Sequence, residues 1–177
     1  MKFQVHNLQY GSMKECDLNN LSRSLSVDSE IVLFDGERIE AIGFVSHSLL
    51  VYFCVEFADY AIQNYEKKKI PKAEECFSLV RKWIENPNSV SKKELEAAAN
   101  AAYTAGNANA GGNAAHAAGN AAYAAYAATA ATYAATYAAT AAGTAAGKLN
   151  AATATYTAGA AKEFERQGRF ILSYFSS

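Results

Sequence analysis

The chain has 177 residues, which is enough for one domain of ordinary size with a buried core. Lysine and arginine total 16, aspartate and glutamate total 17, and the formal net charge is -1. This balance gives no electrostatic reason for nucleic acid or an anionic membrane to be the obligatory partner, and we expect neither.

Three cysteines, Cys16, Cys54 and Cys76, lie in the first half of the sequence. An odd number without paired spacing disfavours a disulfide scaffold and is typical of reduced thiols inside a cell. Residues 1–10 mix polar and apolar side chains and lack the basic start and apolar run of a secretory signal. We therefore expect a cytoplasmic location, with Cys54 and Cys76 as small core residues.

The first 36 residues predict a small mixed segment. Phe3, Val5 and Leu8 on one side and residues 31–34 on the other have the composition of two short strands, around a small helix over 17–25. Short apolar runs are ambiguous, so residues 31–34 could instead lead directly into the following helix.

Local signals predict two helices after this segment. Asp35 is placed as the N-cap of a helix that runs to about Lys67. Its inward face recurs every three or four residues and comprises Ile39, Ile42, Ser46, Leu49, Phe53, Phe57 and Tyr60. Pro71 fits the first turn of a second helix, which ends near Asn86 before Pro87.

The composition changes abruptly at Ala97. From Ala97 to Ala161, 34 of 65 residues are Ala, and Lys148 is the only charged side chain. Because alanine is the best helix former and this segment contains six tyrosines, we expect helix and not disorder. No Leu, Ile, Val or Phe lies between Ala97 and Lys148, so membrane insertion would be poorly driven and we expect no membrane span.

Three further helices are predicted across this alanine-rich zone. Ser91 and Glu94 form a capping box that opens the third helix. The glycines expected to interrupt it are Gly106, Gly111 and Gly112. A fourth helix follows over 113–146, and a fifth over 150–174.

Five helices with short links predict a mainly α protein. We expect an alanine-rich antiparallel helical bundle over 37–177, with a small mixed and β-containing N-terminal segment over 1–36.

Within the fourth predicted helix, tyrosines and threonines form neighbouring stripes. At 100° per residue, the four tyrosines fall within one sector of about 80°. The candidate binding residues on these stripes are Tyr123, Tyr126, Tyr133, Tyr137, Thr132 and Thr136. Tyrosine gives a large amphipathic contact area at low entropic cost, which suits a recognition surface. The alternative is that the rings fill space that the alanine faces leave in the bundle.

The rest of that helix is a broad face of methyl groups, among them Ala131, Ala134 and Ala138. Such a face lets two helix backbones approach closely, and Gly143 and Gly147 would bring them closer still. A methyl face left exposed would favour self-association, so a homodimer stays open as an alternative.

Motifs for catalysis or metal binding are sparse. No glycine-rich phosphate loop follows a strand, and His6, His47 and His116 do not share metal-binding spacing. A lone histidine such as His116 is more often structural than catalytic. We expect no catalytic residue, no metal and no cofactor.

Two acids are candidates for either a metal site or ion pairs. Glu56 and Asp59 lie three residues apart on one predicted helix face, with Cys54 nearby, and could begin a metal site. We favour ion pairs with the following helix instead, because no histidine joins the two acids. The candidate partners there are Lys72, Arg81 and Lys82.

The middle of the chain resembles a known family. Residues 54–88 read CVEFADYAIQNYEKKKIPKAEECFSLVRKWIENPN and are followed at once by alanine-rich helix. This pattern resembles the immunity-five-like family, which comprises alanine-rich immunity proteins of bacterial toxin systems and prophages. The resemblance spans roughly residues 45–175.

Short residue pairs carry the resemblance. They are Cys54 with Glu56, Tyr65 with Glu66, Pro71 with Lys72, and Asn86 with Pro87, together with the closing residues 162–167. The family usually has Arg before the proline, where this chain has Ile70. The resemblance implies an all-helical protein that binds and neutralises another protein.

Three functional hypotheses follow. The first is a non-enzymatic inhibitor of immunity type, which occludes a toxin or nuclease. The second is a phage or prophage counter-defence protein that binds a defence effector or sequesters a nucleotide signal, since tyrosine rings can stack on bases. The third is an enzyme with unrecognised acid and base groups around Glu56, Asp59 and His47.

Overall fold

The computed structural model of the chain describes residues 1–66, 69–108, 113–150 and 156–177. Within these residues, a four-stranded antiparallel sheet precedes a bundle of helices. The strands are β1 (Lys2–Asn7), β2 (Ser12–Asp17), β3 (Ser29–Asp35) and β4 (Arg38–Val45), in the sheet order β2-β1-β3-β4. The helices are α1 (Leu18–Leu21), α2 (His47–Ala61), α3 (Pro71–Glu85), α4 (Lys92–Ala108), α5 (Asn113–Tyr126), α6 (Ala128–Asn150) and α7 (Tyr156–Phe175). This architecture confirms the predicted fold class.

The sheet contains the two predicted strands, β1 and β3, and two that the sequence analysis did not identify. Both additional strands, β2 and β4, lie at the edges of the sheet and bury few side chains. Cys16 is the buried residue of β2 and Val45 that of β4. Edge strands of this kind lack the clean apolar alternation that marks a strand in a sequence. The helix predicted over 17–25 is only the short α1.

The predicted start of the long helix is wrong. Asp35 pairs with Arg38 across the β3–β4 hairpin, so it ends a strand and is not a helix N-cap. Gly36 takes a φ of 64° in the two-residue turn, a conformation that glycine adopts without steric cost. The helix instead begins after Ser46, whose Oγ accepts a hydrogen bond from the Leu49 amide at 3.3 Å.

A π-helical turn, Ile62–Glu66, continues α2 directly. The predicted end, Lys67, lies outside the described residues.

The next two helices begin where their signals predicted. Pro71 occupies the first turn of α3. At α4, the Ser91 amide donates to Glu94 Oε2 at 2.8 Å, and the Glu94 amide donates to Ser91 Oγ at 3.3 Å, which confirms the capping box. The expected interruption at Gly106 is absent, because α4 continues to Ala108. Gly111 and Gly112 lie outside the described residues.

The predicted fourth helix is two helices. The chain leaves α5 after Tyr126 and enters α6 at Ala128, and the Ala130 amide donates to the Ala127 carbonyl in the turn between them. The predicted fifth helix is α7, which starts at Tyr156. Its start was predicted at about residue 150; Asn150 itself belongs to α6, and residues 151–155 are not described.

The core changes character along the chain. Large side chains fill it beneath the sheet and around α2; the bulkiest include Phe3, Phe53, Phe57, Phe77 and Leu50. Between α5, α6 and their neighbours it consists almost entirely of alanine, and Ala131, Ala134 and Ala138 are at most 1% exposed. Close approach is needed to gain dispersion energy from such small groups.

One glycine shows how close this packing is. A Cβ atom at Gly143 of α6 would lie 2.4 Å from the ring of Phe164 in α7, so any larger residue there would require the ring to move. The methyl face of α6 is therefore covered by α2, α5 and α7. The face that motivated a homodimer is inside the bundle.

The N-terminal sheet continues beyond residue 36, to Val45. Its buried residues Phe3, Val5 and Ile31 belong to the same hydrophobic cluster as the buried face of α2. The division into two domains at 36/37 stays a prediction. In the described ranges, no helix combines the length and apolar character that crossing a membrane requires.

Candidate binding cleft

A cleft lined by tyrosines opens between α4, α5 and α6. Its volume is about 510 Å³, within the size range of small-ligand and side-chain pockets. The tyrosines that line it are Tyr103 from α4, Tyr123 and Tyr126 from α5, and Tyr133 from α6. The polar groups beside them are Glu96, Asn100 and Asn120, and the alanines are Ala99, Ala130 and Ala134. We call this site the tyrosine cleft.

The break between α5 and α6 builds the cleft. In one continuous helix, all the tyrosines of the predicted stripe would share a single straight face. Because the chain turns at Ala127, α6 packs against α5, and Tyr133 faces the same cleft as Tyr123 and Tyr126. The rings of Tyr123 and Tyr126 meet edge to face, with centroids 5.0 Å apart.

Tyr103 forms the inner wall of the cleft. Its ring lies so close to α5 that a Cβ atom at Gly119 would come within 2.8 Å of it. Its hydroxyl donates to Asn120 Oδ1 at 2.5 Å. Burial raises the pKa of Tyr103 to about 12, so its phenol is neutral at physiological pH.

The outer wall is more accessible to a partner. Tyr123 is 45% exposed and Tyr133 is 65% exposed. Tyr126 is half-buried. Burial is the main cause that raises its pKa, and the negative charge of the nearby Glu96 carboxylate raises it further. The cleft therefore presents phenol groups and aromatic faces, with the two most exposed rings at its mouth.

Three of the six predicted binding residues line the tyrosine cleft, and the other three do not. Tyr123, Tyr126 and Tyr133 line the cleft, whereas Tyr137 lies next to it with its ring centroid 6.0 Å from that of Tyr133. Thr132 lies elsewhere and accepts a hydrogen bond from the Val27 amide at 3.2 Å.

Thr136 has a local role, because its hydroxyl donates to the Thr132 carbonyl one turn earlier at 3.1 Å. Binding by these six residues stays a prediction. Four further lining residues were not predicted: Glu96, Asn100, Tyr103 and Asn120. On α4, Asn100 follows Glu96 by four residues, and Tyr103 follows Asn100 by three. This i,i+3/i+4 spacing places the three residues on one helix face and was the signal that could have identified them.

The acids Glu56 and Asp59 form the expected ion pairs, and their partner is Arg81 of α3. Arg81 Nη2 lies 2.9 Å from Glu56 Oε1 and 2.7 Å from Asp59 Oδ2. No group of three or more acidic, cysteine or histidine side chains with metal-binding geometry exists among the described residues. Cys54 and Cys76 are buried, as predicted for core residues.

A second polar network lies inside the helical bundle and was not predicted. Glu163 of α7 is 1% exposed, and its carboxylate accepts hydrogen bonds from Tyr65, from Gln167 at 2.9 Å and from Arg166 at 2.7 and 2.8 Å. Gln167 also donates to the Ala139 carbonyl of α6 at 3.2 Å. These bonds tie α7 to α6 and to the π-helical turn, which gives the network a structural role.

Comparison with known proteins agrees with this architecture. The family model described as Imm-5 like putative immunity protein matches residues 40–168, which is more than half of the chain. The chain therefore belongs to the Imm-5 like family. The matched region includes the whole tyrosine cleft and both polar networks, and begins within β4. No curated protein and no solved structure matches the chain.

Proposed function

We propose that the protein is a non-enzymatic inhibitor of immunity type, which binds another protein through the tyrosine cleft and neutralises it by occlusion. The partner proposed is a toxin, nuclease or defence effector, and the proposed place of action is the cytoplasm. Membership of the Imm-5 like family supports a protein partner. The observation that carries the choice of surface is the exposure of Tyr123 and Tyr133 at the mouth of a preformed cleft.

The chemistry of the cleft supports binding. Tyrosine is enriched among the residues that dominate protein interfaces, because its ring contributes apolar area and its hydroxyl a hydrogen bond. Each ring at the mouth contacts a neighbouring ring, which lowers the side-chain entropy that binding would cost. The side-chain amides of Asn100 and Asn120 add donors and acceptors to the lining.

The proposal is tested in two stages with a tagged form of the chain. The protein that the chain retains from a lysate of the source cell is identified by mass spectrometry and purified. Its affinity is then measured by calorimetry for the unmodified chain, for the double variant Tyr123→Ala/Tyr133→Ala, and for the control Tyr10→Ala. Tyr10 is 76% exposed and lies in the β1–β2 connection, far along the chain from the cleft.

We expect a complex of equal stoichiometry that the double variant weakens by about 100-fold, as for two interface hot spots, while Tyr10→Ala has no effect. The retained protein should also arrest growth when expressed alone, and co-expression of the unmodified chain should relieve the arrest. Equal affinity for both variants would remove the cleft as the binding surface. A retained protein that is harmless when expressed alone would contradict the immunity-type role.

A further inference from the structure

The tyrosine cleft has a distinctive electrostatic character. Among its described lining residues, Glu96 carries the charge, and no Lys or Arg is present. The faces of tyrosine rings are negative because of the ring quadrupole, and four such rings surround the space. The carbonyl oxygens of the Asn100 and Asn120 side chains add acceptors. The Glu96 carboxylate and the ring faces attract a cation and repel an anion, and the asparagine oxygens can accept hydrogen bonds from a cationic donor.

A cation of the chain itself already lies at the edge of the cleft. Lys92 Nζ is 5.4 Å from the centroid of the Tyr126 ring and 3.7 Å from Glu96 Oε1. The Lys92 side chain is 68% exposed, so this contact is loosely held and can be displaced. The Tyr126 ring and the Glu96 carboxylate therefore both contact the Lys92 ammonium group, which shows that they can bind the same cation.

An anionic ligand fits the same features poorly. A nucleotide could stack its base on the tyrosines, but its phosphates would approach Glu96 without an arginine or lysine among the lining residues. A guanidinium group, unlike a nucleotide, complements both the aromatic rings and the acceptor oxygens of the lining. It is planar and can stack on a tyrosine face, and its several N–H donors match the acceptor oxygens of the Glu96 carboxylate and the asparagine amides.

We propose that the tyrosine cleft receives an arginine side chain of the protein partner, with its guanidinium stacked on the tyrosine rings and hydrogen-bonded to Glu96. This inference rests on the proposed function and specifies the chemistry of the partner. It assigns a specificity role to Glu96 and a competing role to Lys92.

The first test uses a small probe. Nα-acetyl-arginine methylamide carries the guanidinium, and Nα-acetyl-citrulline methylamide is its uncharged isostere. Both are titrated into the chain while the ring resonances of Tyr126 and Tyr133 are followed by NMR, with adenosine monophosphate as an anionic probe. The variants are Glu96→Gln, Lys92→Met and, as a matched control on an exposed ion pair away from the cleft, Glu165→Gln.

We expect saturable shifts with the arginine probe and weaker binding by about tenfold in Glu96→Gln, as for loss of one charged partner. Lys92→Met should strengthen binding by about threefold because it removes the competing ammonium. Glu165→Gln should bind as the unmodified chain does. Equal binding of the citrulline probe, preferential binding of the nucleotide, or no effect of Glu96→Gln would overturn the proposal.

The second test separates this inference from the proposed function. The partner captured above is bound to Glu96→Gln and to the double variant Tyr123→Ala/Tyr133→Ala. Loss of affinity in both supports an arginine of the partner in the cleft. Loss only in the tyrosine variant leaves the cleft as the interface but overturns the arginine assignment, even if the small probe binds.

Discussion

The Nε2 atom of His47 lies 2.6 Å from the carbonyl oxygen of Ala124, which joins the first turn of α2 to the last turn of α5. A carbonyl oxygen can only accept a hydrogen bond, so Nε2 carries the proton and donates. In an uninterrupted helix this carbonyl would accept from the Ala128 amide instead. The histidine therefore satisfies the carbonyl where α5 ends and α6 begins, without any glycine or proline in the connection.

His47→Ala should destabilise the protein by about 1–3 kcal/mol, because the Ala124 carbonyl loses its partner in a buried environment. The His47 ring also packs edge-on against Trp83, with centroids 5.2 Å apart, and that contact is lost as well. Urea unfolding followed by circular dichroism measures the loss, and the tyrosine signal in the near-ultraviolet reports on the cleft. His116→Ala is the control, since His116 contacts Asn107 and the Tyr103 ring of α4 and lies in the first turn of α5, at the end opposite the break. Equal unfolding midpoints for the two variants would show that His47 does not support the break.

The relation between His47 and Ala124 also explains why the break between α5 and α6 could not be predicted from the sequence. Residues 113–146 have continuous helix propensity, and nothing local marks Ala127 as a boundary. The carbonyl freed at the break is bonded by a side chain 77 positions away in the sequence. A tertiary contact of this kind has no signature in a single sequence, whereas the capping box at Ser91 was predictable because both of its partners are local.

The sheet edges were missed for a different reason. Ile39 and Ile42 continue the spacing of the apolar residues in α2, so strand β4 was assigned to that helix. The pair Asp35 and Gly36 suits a helix cap as well as a hairpin turn. The partner strand β3 decides between them, because β4 pairs with it from Arg38 to Val45.

Part of the lining of the tyrosine cleft could be predicted from the sequence. The tyrosines of α5 and α6 stand out because they interrupt an alanine background at helical spacing. Tyr103 and Glu96 lie on α4, and the packing of α4 against α5 brings them to the same site. Which helices become neighbours could not be derived from the uniform methyl faces, since alanine contributes little shape to distinguish one packing from another.

Ala131→Leu and Ala138→Leu should each destabilise the protein by about 1–3 kcal/mol, because extra methylene groups would be forced into a packed methyl face. Both alanines are at most 1% exposed. Ala161→Leu is a suitable control, since Ala161 lies on an exposed position of α7 and should change stability by less than about 0.5 kcal/mol. Thermal and urea unfolding give the comparison. Unchanged midpoints in both core variants would indicate that this face is not closely packed in solution.

The buried thiols predict a loss of stability at alkaline pH. Burial raises the pKa of Cys76 to about 12 and also raises the pKa of Cys54, whereas a thiol in an unfolded chain has a pKa of about 8.5. Below about pH 8.5 both states keep these protons, and neither thiol affects the balance. Between about pH 8.5 and 12 the unfolded chain releases protons that the folded chain retains, so the free energy of unfolding falls as pH rises.

The expected slope is up to about 1.4 kcal/mol per pH unit for each thiol. Urea unfolding at pH 7.5, 9.5 and 10.5 measures it as a difference between the unmodified chain and Cys76→Ala. The variant should be less stable at pH 7.5, because the Cys76 thiol packs in the core and donates to the Ala118 carbonyl at 3.2 Å, but its stability should fall less steeply with pH. Cys76→Ser, which also cannot titrate in this range, should show the same shallower slope. Parallel pH curves for all three proteins would contradict the assignment.

Arg81 should contribute far more to stability than an exposed arginine in a similar pair. It bridges Glu56 and Asp59, whose side chains are only 28% and 16% exposed. Arg81→Met removes the bridge and leaves two partly buried carboxylates close together, which should cost about 1–3 kcal/mol. Arg169→Met is the matched control, because Arg169 pairs with Glu165 at 2.7 Å on an exposed helix face and should cost at most about 0.5 kcal/mol.

Removal of the acids separates lost packing from uncompensated charge. If the charges are responsible, adding Glu56→Gln and Asp59→Asn to the Arg81→Met chain should restore much of the lost stability, since no carboxylate then lacks its cation. Urea unfolding at neutral pH measures all four proteins under one condition. Equal losses for Arg81→Met and Arg169→Met would mean that the bridge between α2 and α3 is as weak as a surface pair. A triple variant no more stable than Arg81→Met would assign the loss to the packing of the Arg81 side chain against the bundle.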